Sequence, residues 1–131
     1  MKIPALIGFT VLTLLSPLQS QSQAQGLSPM ELSASGTQST HRFSLNVMNP
    51  DANRTAFEME AWRIDPQTGE RTELIQGTQY NPREFWVAGN GGSKRVFVSV
   101  PNPGEPYKLC TFRKQRTEFL RLGVCALVSM P

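Results

Sequence analysis

Histidine occurs once in the 131 residues and cysteine twice, so most ligand sets of a metal centre are missing at the outset. His41 stands in a strand-like stretch beside Arg42, and one imidazole without clustered Cys, Asp or Glu cannot hold an ordinary metal ion. The cysteines lack the C-x-x-C spacing of dithiol redox and zinc motifs. No Gly-x-Ser-x-Gly elbow, phosphate loop or dinucleotide fingerprint is present, which removes the sequence support for a hydrolase or nucleotide enzyme. Charged residues make up 18% of the chain and the formal net charge is +3. The one basic cluster, Arg113-Lys114-Gln115-Arg116, has no interleaved aromatics to stack on bases, so it reads as a solvated hairpin tip and not a nucleic-acid site. Glu58 and Glu60 share a strand face and read as solvated charges, not a catalytic pair. No enzyme, cofactor, metal or nucleic-acid partner is expected.

Long apolar runs are also scarce. The one candidate, Ile3 to Leu15, is uncharged, follows Met1-Lys2, and ends at Ser16-Pro17. It is shorter than the roughly 20 residues a membrane-spanning helix needs. Ser22-Gln23-Ala24 places small residues where a signal peptidase reads them, so residues 1–24 are expected to be a signal peptide cleaved after Ala24. No cysteine follows the run, which argues against a lipid anchor. The remaining 25–131 fit one small domain, periplasmic or secreted.

What is abundant is turn chemistry: ten Gly and ten Pro. Between the turns, residues alternate as half-buried strands do. Thr40–Met48 sets Phe43, Leu45 and Val47 against Arg42, Ser44 and Asn46. Thr55–Ile64 sets Phe57, Met59 and Ala61 against Glu58, Glu60 and Trp62. Ser93–Val100 sets Val96, Val98 and Val100 against Arg95, Phe97 and Ser99. Gly26–Ala34 reads as a short edge strand because it contains Pro29. Arg71–Gln76 and Glu84–Ala88 are shorter strands, and Pro101–Pro106 is a connection of the length that crosses between sheets. Seven or eight strands at this spacing predict an all-β, immunoglobulin-like Greek-key sandwich.

Tyr107–Phe112 and Phe119–Met130 read as the last two strands. A turn centred between Thr117 and Glu118 sets Cys110 opposite Cys125, within disulfide reach, in a part of the chain sent to an oxidising compartment. Both cysteines follow Trp62 and Trp86, so the bridge staples neighbouring strands of one sheet, unlike the inter-sheet bridge of antibody domains. On the last strand Leu120, Leu122, Val124, Ala126, Val128 and Met130 share a face. That stripe reads either as core or as a partner-binding surface, and a strand can do both over different parts of its length.

Leu27-Ser-Pro-Met-Glu-Leu32, Leu45-Asn-Val-Met-Asn-Pro-Asp51 and Phe85–Val100 together resemble the amino-terminal domain of the PapD-like periplasmic pilus chaperones. The resemblance implies an edge strand lent to an incomplete pilin-like or other exported subunit, with main-chain hydrogen bonds and alternate apolar side chains doing the recognition. One branch of that family also bridges its last two strands. The chain departs from the family in two ways. It has the length of one domain where the family has two, and Met30-Glu31 and Cys125-Ala126-Leu127 stand where the family places an anchoring Arg and Lys. A client carboxylate buried there would lack a cation. The expectation is therefore a single-domain, chaperone-like binding module, possible as a homo-oligomer, with Leu120, Leu122, Val124, Ala126 and Val128 as candidate partner residues. The alternative is a structural subunit of a surface appendage or envelope complex. Expressed in a secreting bacterium, the exported chain is expected to begin at Gln25. Intact mass and N-terminal sequencing check this, and a retained Met1 would overturn it.

Overall fold

Each strand is bounded by residues that stop strands, and the backbone follows that punctuation. A computed structural model describes residues 26–114 and 123–131. Its strands are β1 (Gly26–Ser28), β2 (Glu31–Ser33), β3 (Thr40–Asn49), β4 (Thr55–Ile64), β5 (Arg71–Leu74), β6 (Gln79–Asn81), β7 (Glu84–Val87), β8 (Gly92–Pro101), β9 (Tyr107–Arg113) and β10 (Gly123–Ser129). One sheet runs β1-β3-β8-β6, and the other β2-β10-β9-β4-β5 with β7 also paired to β4. The Pro101–Pro106 connection carries the chain from the first sheet to the second, as its length implied. The fold is an all-β immunoglobulin-like sandwich.

The long strands fall where alternation places them, and two differences bring the number to ten. The opening segment is not one edge strand. It breaks at Ser28-Pro29, β1 pairs β3 in one sheet, and β2 pairs β10 in the other. Pro29 has no N–H to continue a ladder, so the break falls where the ladder would fail. The second difference is β6, three residues between Gly77 and Pro82, too short for alternation to show.

Alternation packs the core. Leu45, Val47, Val96, Val98 and Val100 from the first sheet meet Phe57, Met59, Ala61, Leu109, Ala126 and Val128 from the second. Fully burying a side chain of this kind contributes roughly 1.5–3 kcal/mol. Two turns lock together at one end. Asn49 is buried, its Nδ2 donates to the carbonyls of Asn53 and Val87 at 2.9 and 3.1 Å, and its Oδ1 accepts from Asp51 N–H at 3.0 Å. Gly89 lies against the Asp51–Ala52 backbone, where a Cβ would collide with the Ala52 carbonyl.

His41 is a satisfied core residue and not a solvent-facing one. It is 1% exposed, and its Nε2 lies 2.8 Å from the Ser35 carbonyl. A carbonyl only accepts, so Nε2 carries the proton and Nδ1 accepts from the Tyr107 hydroxyl, 2.8 Å away on the opposite sheet. The two rings stack with planes 6° apart. Burial pushes the Tyr107 hydroxyl's pKa up, so it remains a donor. Tyr107→Phe removes that donor and leaves Nδ1 buried without it. The expected loss is about 1–3 kcal/mol of stability, read from urea denaturation. An unchanged midpoint would show that the nitrogen finds another partner.

Candidate strand-pairing edge

β10 is the described part of the last apolar strand, and it lies between β9 and β2. It pairs antiparallel with β9 from Gly123 to Val128, but parallel with β2 only from Leu127 to Ser129. Cys110 and Cys125 face each other in the β9–β10 ladder and are bonded, their α-carbons 4.0 Å apart. So close a pair is of the non-hydrogen-bonded type. The odd-numbered residues of β10 therefore turn their backbone N–H and C=O away from β9. At Leu127 and Ser129 these groups meet the β2 segment: Leu127 N–H donates to the Met30 carbonyl at 2.9 Å, and the Ser129 carbonyl accepts from Ala34 N–H at 3.0 Å. Beside Gly123 and Cys125, no strand is paired on that side among the described residues; β1 lies near β10 but pairs β3 in the other sheet. The opening exists because β1 belongs to the other sheet.

The even-numbered side chains of β10 point inward. Ala126 and Val128 are fully buried and Val124 packs half-buried against the core. Over the described part the stripe faces the sandwich, and its buried members reach no partner while the sheets are closed. What the edge offers outward is the backbone of Gly123 and Cys125, with Val124 at its margin. Leu120 and Leu122 lie outside the described residues, as does the turn expected around Thr117 and Glu118. Residues 1–24, expected as a signal peptide, also lie outside them.

The outward face beside this edge is covered by aromatic side chains. Phe112 is 1% exposed, and a Cβ on Gly123 would fall on its ring. The Arg71 guanidinium lies 4.8 Å from the Phe112 ring centroid and 5.3 Å from that of Trp62. Glu60, expected as a solvated charge, is instead 7% exposed and accepts a hydrogen bond from Trp62 Nε1 at 2.9 Å. A neighbouring indole that needs an acceptor is the reason, and alternation carries no sign of it. Glu58 is half-buried on the same strand.

The basic cluster also splits. Arg113 pairs with Asp51 at 2.8 Å, and Lys114 pairs with Glu84 at 2.8 Å. The Lys114 ammonium holds the exposed Glu84 carboxyl below its usual range, so the pair's contribution is present at neutral pH and fades as pH falls through the Glu84 pKa. Gln115 and Arg116 lie outside the described residues. Met30, Glu31 and Leu127 adjoin in the β2–β10 pairing and bring no cation to the junction. Lys108, opposite Leu127 on β9, donates to the Gly69 carbonyl at 2.8 Å.

No protein-family model matches the chain, and no curated protein matches it. Solved structures do. The E. coli chaperone DraB superposes with a TM-score of 0.57 over 82% of this chain at 14% identity. The Caenorhabditis elegans MSP family member WR4 superposes with a TM-score of 0.55 over 82% of this chain and 97% of its own, at 10% identity. The chain has a PapD-like fold. A complex of Salmonella enterica SafA pilin with the SafB chaperone also matches, with a TM-score of 0.53 over 85% of this chain at 12% identity. This PapD-like chain spans about half of the matched chains in the two chaperone structures, 54% for DraB and 55% in the SafA–SafB complex.

The bridge holds β10 to β9 along the stretch that β2 leaves uncovered. On the chain-entropy account, closing a loop of this length stabilises the fold by about 3 kcal/mol. Cys110→Ala with Cys125→Ala is expected to lower stability by that order and to speed amide exchange first in β10. Calorimetry and hydrogen exchange check it, and uniform loss across both sheets would overturn the local part.

Proposed function

We propose that the chain is an exported, non-enzymatic PapD-like binding module. It recognises an extended segment of a secreted or surface protein along the β10 edge and assists that protein's assembly. The observation that carries this reading is the pair of outward backbone positions, Gly123 and Cys125, on a strand stapled to β9 and left uncovered by β2. Main-chain pairing supplies affinity at such an edge, and side-chain contacts supply selectivity. The open stretch is short, as solvent-exposed edges must be if they are not to aggregate. A chaperone structure solved with a pilin supports an exported subunit as the class of partner and the periplasm or exterior as the place.

The absent cations narrow the mode of binding. With no Arg or Lys at positions 30–31 or 125–127, a chain-terminal carboxylate has nothing there to neutralise it. The edge therefore takes an internal segment through its backbone. The test is capture of the tagged chain from the envelope of its native cell, followed by amide exchange on the recovered complex. An exported partner with slowed exchange at Gly123 and Cys125, unchanged on the first sheet, is the expected result. Recovery of the chain alone as a defined oligomer would replace this reading with that of a structural subunit.

A further inference from the structure

The two sheets differ in their acids, while both carry cations: Arg63, Arg71, Lys108 and Arg113 lie on strands of the second. The strands β1, β3, β6 and β8 contain no Asp or Glu, while Arg42, Lys94 and Arg95 all lie on them. Every strand acid belongs to the other sheet: Glu31, Glu58, Glu60, Glu73 and Glu84. On the outward face of the acid-free sheet, Phe97 is 52% exposed, far from the usual fate of a phenyl ring. The cross-strand register builds two rows around it. Ser44, Phe97 and Asn81 lie side by side across three strands, and Arg42, Ser99 and Gln79 form the next row. These six residues line an open depression of about 500 Å³. Arg42, Gln79, Asn81 and Ser99 make no side-chain hydrogen bond or ion pair with another described residue. Arg95 is held over the face by a 2.9 Å hydrogen bond to the Ser44 hydroxyl.

We propose that this face binds an acidic oligosaccharide, with Phe97 as the platform for a sugar ring and Arg42 and Arg95 as partners of its carboxylates. The chemistry selects that class of ligand. A flat phenyl ring accepts the apolar C–H face of a pyranose, while the amides of Gln79 and Asn81 and the hydroxyl of Ser99 both donate and accept, as sugar hydroxyls require. Guanidinium groups on a surface without acids supply charge complementarity to carboxylates. Backbone N–H and C=O groups lie in the plane of the sheet, and Phe97–Ser99 are paired on both sides, to β3 and to β6, so a peptide laid across this face finds no main-chain partners. A single stacking ring and two guanidinium groups are a meagre platform for a nucleic-acid strand.

The purified chain is titrated calorimetrically with a tetramer of galacturonic acid and with the neutral galactose tetramer, and amide shifts map the site. Saturable binding of the acidic tetramer, with shifts centred on β6 and the Phe97 segment of β8, is expected. Phe97→Ala should weaken it at least about tenfold, which is ~1.4 kcal/mol, and Phe97→Trp should preserve it. Arg42→Gln with Arg95→Gln should abolish the preference over the neutral tetramer. All these side chains are exposed, and an unchanged thermal midpoint confirms that each variant is folded. No binding, equal binding of the neutral sugar, or tighter Phe97-dependent binding of a hexaglutamate peptide or an octathymidylate would overturn the proposal. The face lies on the sheet opposite the β10 edge, so neither result depends on the edge's function.

Discussion

Two sheets share one layer of side chains between them, and each long strand must give alternate residues to that layer. This constraint decides the rest. Once Leu45, Val47, Val96, Val98 and Val100 fill the layer from one side, Arg42, Ser44, Arg95, Phe97 and Ser99 are committed to the outside. A slip of one residue in either ladder would exchange the two sets, bury charge and expose the core. The His41–Tyr107 hydrogen bond adds a directional requirement to a contact that is otherwise non-directional, because it joins β3 of one sheet to β9 of the other. Apolar packing alone would tolerate small displacements of one sheet over the other. A paired donor and acceptor joining the two sheets tolerate them less.

The same constraint explains which parts were legible in the sequence. β3, β4 and β8 announce themselves because each is half-buried along most of its length, and a period of two is visible over ten residues. The cysteine register was legible because the expected turn left few alternatives, and Cys110 does face Cys125. Pro29 was legible as the mark of an edge strand but not as a break and a change of sheet, because residues 26–33 carry too few side chains to show two inward faces. β6 is shorter than one alternation. Glu60 looked like a solvated acid because pattern reading cannot see that Trp62, two residues on, supplies an N–H and cover.

The candidate edge was half legible. Its strand stood out by its apolar stripe, yet the stripe belongs to the core where it is described, and the outward-facing elements are backbone groups that no side-chain pattern encodes. Which part of β10 is covered depends on β2, at the other end of the chain. Parallel pairing between segments so far apart in sequence leaves no local trace. The acid-free sheet was written plainly in the residues, but it becomes a property only when β1, β3, β6 and β8 are known to be neighbours.

The placement of the bridge gives the molecule a sense of time. A strand paired on one side only is the first to fray, and here the half-paired stretch is the one tied to its neighbour by a covalent bond. Before the thiols are oxidised, this edge spends part of its time detached and presents no fixed array of donors and acceptors. Afterwards the array persists. If the edge pairs with another chain as proposed, oxidation of the two thiols fixes the array that does so, and the covalent tie then acts as a maturation mark as well as a source of stability.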